Sequence, residues 1–316
     1  MKDIYYRYSA FLVEKYSEKV YKLPVVIPVS CPNRSLFEGG CTYCDEKGAG
    51  FDCLSGTFSV GEQLRKNMDY IGKKYKANKF IAYFQSFTNT FLPLEDFEQY
   101  MQQAANENIC GISVSTRPDC VAKPYLEVLK RISEKHNIDI TLELGLQSIQ
   151  HRSLEKINRG HSLAEYIDAV LMIKNYGFEI CTHIILNLPW DDEYDCIETA
   201  KILSALKTDC VKLHSLYIAE NTKMAEQYKN GEFEICSVEE YEKRAISFLR
   251  YLSSEIKVER MVSRAPKDAV FANWATSWWK IRDQIESSMR ENGFYQGELC
   301  DYLGGSKVKC FTDKTV

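Results

Sequence analysis

Apolar runs of strand length recur along the chain, and the stretches between them carry apolar residues at helical spacing. LPVVIPVS (23–30), KFIAYFQSF (79–87), CGISVST (110–116), IDITLELGLQS (138–148), FEICTHIILNLP (178–189) and CVKLHSLYI (210–218) read as six strands. Each is rich in β-branched or aromatic residues and bounded by turn formers. Helical patterns cover 94–108, 123–136, 162–177 and 192–206. Pro124 falls near a first turn, where a missing N–H costs little. Ser162 and Glu165 form a capping box, and Gly177 suits the position after the last turn.

This β-α alternation predicts an α/β fold, a parallel sheet with helices outside it. Six βα units without a clear seventh and eighth predict a partial (β/α)6 TIM-like barrel. Beyond about residue 220 the pattern changes. A helix is expected over 237–255, a strand within 257–266 and a helix over 274–292. The expected organisation is a core of residues 1–220 and a C-terminal α/β extension, 221–316, packed on the barrel.

Composition narrows the class. Of the 316 residues 45% are apolar, ample for a core, but no apolar run reaches membrane-spanning length. The N-terminal stretch lacks the apolar region and small-residue cleavage site of a signal peptide, so a cytoplasmic, membrane-free protein is expected. A net charge of −4 excludes a histone-like polycation, and nucleic-acid contact would need a local basic patch. Twelve cysteines are many for such a chain. Cys110, Cys181 and Cys210 lie in strand-like runs and read as buried thiols behaving as small apolar groups.

Three cysteines stand apart, in CPNRSLFEGGCTYC (31–44). A structural zinc site wants four closed ligands, and no second Cys-x-x-Cys pair follows. A redox pair of Cys41 and Cys44 leaves Cys31 without a role. A cubic iron–sulfur cluster normally takes four thiolates, so three leave one iron open. The loop follows the first strand, and active sites of such barrels lie at the C-terminal strand ends.

Further motifs follow in order: YFQSFTNTFLP (83–93), STRPDC (115–120), ELGLQS (143–148), INRGH (157–161), CTHIILNLP (181–189), KLHSLYI (212–218) and SRAPKDAVFANW (263–274). With the cysteine loop, they resemble the radical S-adenosylmethionine (SAM) superfamily, closest to its YhcC/YtqA-like family and similar to the radical SAM domain of the elongator catalytic subunit. The resemblance spans about residues 5–300. It implies that Cys31, Cys41 and Cys44 hold a [4Fe–4S] cluster whose open iron takes SAM. Reductive cleavage then yields a 5′-deoxyadenosyl radical. It also implies an external one-electron donor such as flavodoxin or ferredoxin. Cys53 and Cys120 are not expected as ligands.

The same resemblance carries further positions. Tyr43 looks like the aromatic residue beside the adenine. Ser86, Phe87 and Thr88, which replace a glycine-rich turn, are implied at the methionine amino group, and Arg159 at its carboxylate. Ser115, Arg117, Glu143, Gln147, His183, Asn187, Leu213 and His214 are implied along the rest of SAM. Plainer readings stand beside these. Glu143 alternates with Leu142 and Leu144 and can face outward. Arg159 can cap a surface helix. His183 and His214 can be satisfied core residues, and His136, His151 and His161 read as surface residues.

The implied partner is a tRNA, and the implied reaction is modification of a wobble-uridine side chain, of the 5-carboxymethylaminomethyl to 5-aminomethyl type. Lys257, Arg260, Arg264 and Lys267 form a basic stretch, and Trp274, Trp278 and Trp279 could stack on splayed bases. Equally, Trp274 and Trp278 are four apart, the spacing of a helix packed on a core. The alternatives are a radical enzyme for a small metabolite or another RNA position, and a noncatalytic iron–sulfur or zinc-stabilised RNA-binding protein.

Overall fold

The computed structural model describes residues 3–35, 39–45, 54, 56–266 and 269–308. The basic residue Lys267 and the thiols Cys53 and Cys310 lie outside them. The chain runs α1 (Tyr8–Tyr16), β1 (Val20–Val25), α2 (Pro32–Ser35), α3 (Val60–Tyr75), β2 (Lys79–Phe84), α4 (Leu94–Ala104), β3 (Ile109–Thr116), α5 (Lys123–His136), β4 (Asp139–Gln147), α6 (His151–Lys156) and α7 (Leu163–Asn175). It continues through β5 (Glu179–Ile185), α8 (Glu193–Ala205), β6 (Cys210–His214), α9 (Lys223–Lys229), α10 (Val238–Tyr251), β7 (Lys257–Arg260) and α11 (Trp278–Glu291).

The seven strands pair in sequence order, all parallel, as an open half-barrel. The partial barrel expected from sequence is therefore present with one strand more. β7 comes from the extension and pairs with β6, so the sheet runs past residue 220. β1 spans 20–25 rather than 23–30, and the predicted tail becomes the approach to the cysteine loop. α11 begins at Trp278, four residues later than expected. Trp274 precedes it with a left-handed backbone and donates its indole N–H to the Cys236 carbonyl at 2.7 Å.

Local signals account for several boundaries. α7 starts at the Ser162–Glu165 capping box and is followed by Gly177 at φ 71°. α3 has the same device in Ser59 and Glu62. The main core lies between the sheet and its outer helices, where Phe84, Phe97, Leu129, Tyr166, Leu213 and Phe248 are fully enclosed. Inside the curve, α1 plugs the foot. Its Tyr8 and Leu12 pack with Val20, Ile81, Cys181 and Cys210. The backbone of Tyr6 and Arg7 also bridges to Val258 on the edge strand β7. The foot is thereby filled, and the C-terminal strand ends are the face left for a site.

Candidate active site

The cysteine loop is docked onto the segment after α6. Thr42 donates its N–H to the Ile157 carbonyl at 3.0 Å. Asn33 donates to the Asn158 carbonyl at 2.5 Å, and Asn158 returns a bond to the Gly40 carbonyl at 2.7 Å. Arg117 fixes the far side of that segment, giving one N–H to the Arg159 carbonyl at 2.7 Å while its fork grips Asp119. Cys31 and Cys41 are buried and Cys44 is half-buried. Two N–H groups reach the Cys41 sulfur, from Asn33 at 3.5 Å and Arg159 at 3.6 Å.

Two glycines make room for this arrangement. A Cβ on Gly160, whose φ is +73°, would stand 2.6 Å from Asn33 Oδ1. A Cβ on Gly145 would stand 2.6 Å from Arg159 Nη2. The glycines of INRGH and ELGLQS therefore admit the Asn33 amide and the Arg159 guanidinium. A register shift between Gly145 and Gln147 marks a bulge, and Gln147 follows at φ 73°.

Arg159 does not present a free fork. Nε and Nη2 both point at the Gly145 carbonyl, at 3.2 and 2.7 Å, and Nε also meets His161 Nε2 at 2.9 Å. Arg159 is no surface cap either, being buried. His161 is buried as well, against the surface position expected for it, whereas His136 and His151 are exposed. Its burial, with Arg159 and Arg117 alongside, lowers the His161 pKa to about 4.

The QSFT turn lies beside the start of the loop. Thr88 donates its N–H to the Ser30 carbonyl at 3.3 Å, and the Arg34 guanidinium sits 5.6 Å over the Phe87 ring. Phe87 adopts φ 58° without being glycine. Ser86 Oγ is buried and has no hydrogen-bond partner. Asn187 accepts from the Leu216 N–H at 2.7 Å, but its own Nδ2 is buried and unpartnered. Ser115 meets Tyr83 at 3.4 Å. Tyr43 packs beside Ile157, Ile185 and Leu188.

Deeper in the half-barrel lies a second polar group. Glu143 Oε1 accepts from Lys22 at 2.6 Å and Ser113 at 2.7 Å; Oε2 accepts from Lys212 and His183, both at 2.7 Å. Glu259 accepts from the same two ammonium groups, at 2.6 and 2.8 Å. The result is a square of two carboxylates and two ammoniums drawn from β1, β4, β6 and β7. Burial alone would raise the Glu143 pKa, but Lys212, Lys22 and His183 hold it well below the carboxylate range. A chain leads up from this square. His183 gives Nε2–H to Glu143, so its Nδ1 accepts from His214 Nε2 at 3.3 Å. His214 Nδ1 in turn accepts from Ser263 at 3.1 Å.

Two expectations change here. Glu143 faces inward, as a cofactor residue would, yet its lone pairs are filled by protein donors and none is left for a ribose hydroxyl. The Leu213 side chain lies in the core between sheet and helices; the inward residue is its neighbour Lys212. The sequence reading missed Lys22, Lys212 and Glu259. Their available signal was a charge inside a short apolar strand run. Carboxylate, thiol and imidazole atoms of Glu143, Cys181 and His183 approach within 4.8 Å, as do those of Cys181, Cys210 and Glu259. The two ammonium groups already hold these carboxylates, which leaves no uncompensated charge for a metal ion.

The profile of the Radical SAM superfamily matches residues 25–203. The chain belongs to the radical SAM superfamily. A second profile, the Radical SAM C-terminal domain, matches residues 208–291, where β6 and β7 complete the sheet. The uncharacterized protein YtqA of Bacillus subtilis is 31% identical over 303 residues, covering 95% of this chain and 94% of YtqA. A tRNA uridine(34) acetyltransferase of Methanocaldococcus jannaschii is 28% identical over 174 residues, 54% of this chain and 30% of that protein. Among solved structures, archaeal Elp3 from Methanocaldococcus infernus superposes with TM-score 0.70 at 17% identity, over 88% of this chain and 64% of that one. This radical SAM chain is thus an enzyme, and its family implies a [4Fe–4S] cluster and SAM. The residues present fit that pair: three thiols lie in the docked loop, one of them against the buried Arg159 guanidinium, and unpartnered Ser86 and Asn187 atoms are buried just past the C-terminal ends of β2 and β5. Among the described residues no helix is long and apolar enough to cross a membrane.

Proposed function

We propose that Cys31, Cys41 and Cys44 hold the cluster and that the enzyme modifies the side chain of a tRNA wobble uridine. The observation that carries the cofactor half is the docked cysteine loop at the C-terminal strand ends. When bound, the cluster and SAM supply a 5′-deoxyadenosyl radical for hydrogen abstraction. The Ser86 hydroxyl, the backbone of Phe87 and Asn187 Nδ2 are groups with bonds to offer SAM, whereas the Thr88 backbone is already paired with Ser30 and Phe91. Tyr43 offers a ring, and Gln147 and Ser115 line the same end. Arg117 acts through the Arg159 carbonyl by holding the docking segment. The plugged foot excludes water from below. The division into a barrel core to about residue 220 and an extension is proposed only as a functional one, since β7 belongs to the sheet.

The tRNA half is supported by the relative named for tRNA uridine(34). That relative is matched over only part of its length, so acetyl transfer does not come with it. An anticodon loop is single-stranded, and its bases can turn outward to reach a recessed site. Arg260, the last residue of β7, and Arg264 just beyond it are exposed and would supply the phosphate contacts. With a net-acidic chain the salt dependence of binding should be modest for an RNA binder.

The test has two parts. Anaerobically prepared protein, reduced by flavodoxin, ferredoxin or dithionite, should convert SAM to 5′-deoxyadenosine and methionine. Nucleoside mass spectrometry of tRNA from a deletion strain should show 5-carboxymethylaminomethyl-uridine derivatives accumulating and 5-aminomethyl products depleted. Arg260→Glu with Arg264→Glu should weaken tRNA binding and leave SAM cleavage intact. An unchanged nucleoside profile with no tRNA binding would replace tRNA by a small-molecule substrate.

A further inference from the structure

The Cys41 sulfur differs from the other two thiols. It receives the Asn33 amide at 3.5 Å and the Arg159 guanidinium at 3.6 Å, both from buried side chains. Among the described residues the Cys44 sulfur contacts the Asp45 carbonyl, at 3.7 Å, which a ligating thiolate would give up, and no N–H. Among the described residues no N–H is recorded at Cys31. The two donors at Cys41 are not adjustable surface groups. Asn33 uses its second N–H on the Asn158 carbonyl, and Arg159 is pinned by the Gly145 carbonyl and His161. Gly145 and Gly160 have no side chain that would push either group away.

We infer that Asn33 and Arg159 are positioning residues that set the reduction potential of the cluster through Cys41. This rests on the cluster assignment above, and it gives Arg159 a role on the cluster rather than on the SAM carboxylate. Reduction adds one electron from the external donor and no proton, so the cluster and its thiolates become more negative by one charge. A fixed guanidinium and an amide dipole aimed at one sulfur stabilise the reduced state more than the oxidised one. In a buried site that preference is weakly screened. The potential therefore rises, and a weak biological donor becomes able to load the cluster.

The experiment is a redox titration followed by electron paramagnetic resonance, on the anaerobically reconstituted full chain without SAM. Wild type is compared with Arg159→Met, Arg159→Lys, Asn33→Leu and Asn33→Asp, each checked for iron and sulfide. At the potential where half the wild-type clusters are reduced, about a tenth or fewer should be reduced in Arg159→Met. Arg159→Lys should fall between the two, and Asn33→Asp below Asn33→Leu. A fully loaded Arg159→Met that titrates like wild type, losing only SAM affinity, would overturn the inference. If Arg159→Met does not assemble a cluster, Arg159→Lys and Asn33→Asp decide by the same criterion, and wild-type titration in both overturns it. A wild-type protein without a [4Fe–4S] cluster would instead overturn the cluster assignment itself.

Discussion

The half-barrel holds two buried polar regions, and they are built on opposite terms. Around Glu143 the available lone pairs and ammonium protons are taken: Lys212 reaches Glu143, Glu259 and Tyr83, and Glu143 accepts from four donors. Around the cysteine loop, Ser86 Oγ, Asn187 Nδ2 and Thr42 Oγ1 are buried with nothing to bond. A buried polar atom without a partner is unfavourable by itself, so a group of them at strand ends points to a ligand. A closed network of opposite charges points to architecture. The difference separates a residue that faces the site, such as Glu143, from one that has something left to offer it.

The cysteines allow the sharpest test of this contrast. Changing Cys31, Cys41 or Cys44 to Ala should abolish the brown colour and most of the bound iron, measured after anaerobic purification. Cys120→Ala should leave both intact. Folding should survive in the three cysteine variants, since the loop is held by Asn33, Thr42 and Asn158 rather than by its thiols. Iron loss from Cys120→Ala would collapse the assignment.

Breaking the other region should act on stability first. Glu143→Ala leaves two buried ammonium groups, Lys22 and Lys212, with Glu259 as their one remaining carboxylate, and removing one partner of a buried ion network typically costs about 3–5 kcal/mol. Urea unfolding should register that loss. SAM cleavage per folded, iron-loaded molecule should be nearly unchanged, because Glu143 has no free lone pair for the cofactor. A Glu143 variant of full stability that had lost SAM binding would return this residue to the cofactor site.

Gly160→Ala joins steric and functional effects in a smaller change. The left-handed backbone alone disfavours alanine by about 1 kcal/mol, and the new Cβ would press on Asn33 Oδ1 at 2.6 Å. The variant should fold with a modestly lowered urea midpoint but load less iron, because Asn33 ties Cys41 to the docking segment. Gly177→Ala, also left-handed but with open space around its Cβ, should lose stability alone and keep its iron. Equal iron content in the two variants would detach the glycine from the cluster loop.

Much of this was legible along the chain, and the gaps have physical causes. The strands of the βα units stood out because buried parallel strands are continuous apolar runs. The capping box of α7 and the cysteine spacing are local, so they could be read directly. α1 and α3 went unread as helices, and β7 was placed in a separate extension because it is four residues long with charges at three of them. Lys22, Lys212 and Glu259 are unremarkable singly. They become a network only when strands distant in sequence close around Glu143, and no local pattern reports that. Leu213 was taken one position out of phase, and a one-residue slip in a strand exchanges the inner and outer faces.

The smallest expected effect concerns acid. Burial disfavours the charged imidazoles of His183 and His214, with Lys212 adding to the first and His183 and Arg260 to the second, so both pKa values are lowered. An unfolded histidine titrates near ~6.5. Just below that pH the unfolded chain binds protons that the native chain refuses, so stability rises with pH there and is lost on acidification. Glu143 and Glu259, whose pKa values are also lowered, extend the loss once the pH drops below the ordinary carboxylate range. The urea midpoint should therefore fall between pH 7.5 and 5.5, before any carboxylate contribution. His183→Gln with His214→Gln should flatten that slope without abolishing it, since His161, lowered to about 4, still contributes. Gln can still donate to Glu143, which keeps the charge square closed and confines the change to the titrating groups. A slope equal to wild type in the double variant would mean that the pair binds as many protons in the native protein as in the unfolded chain, so that burial does not lower these two pKa values.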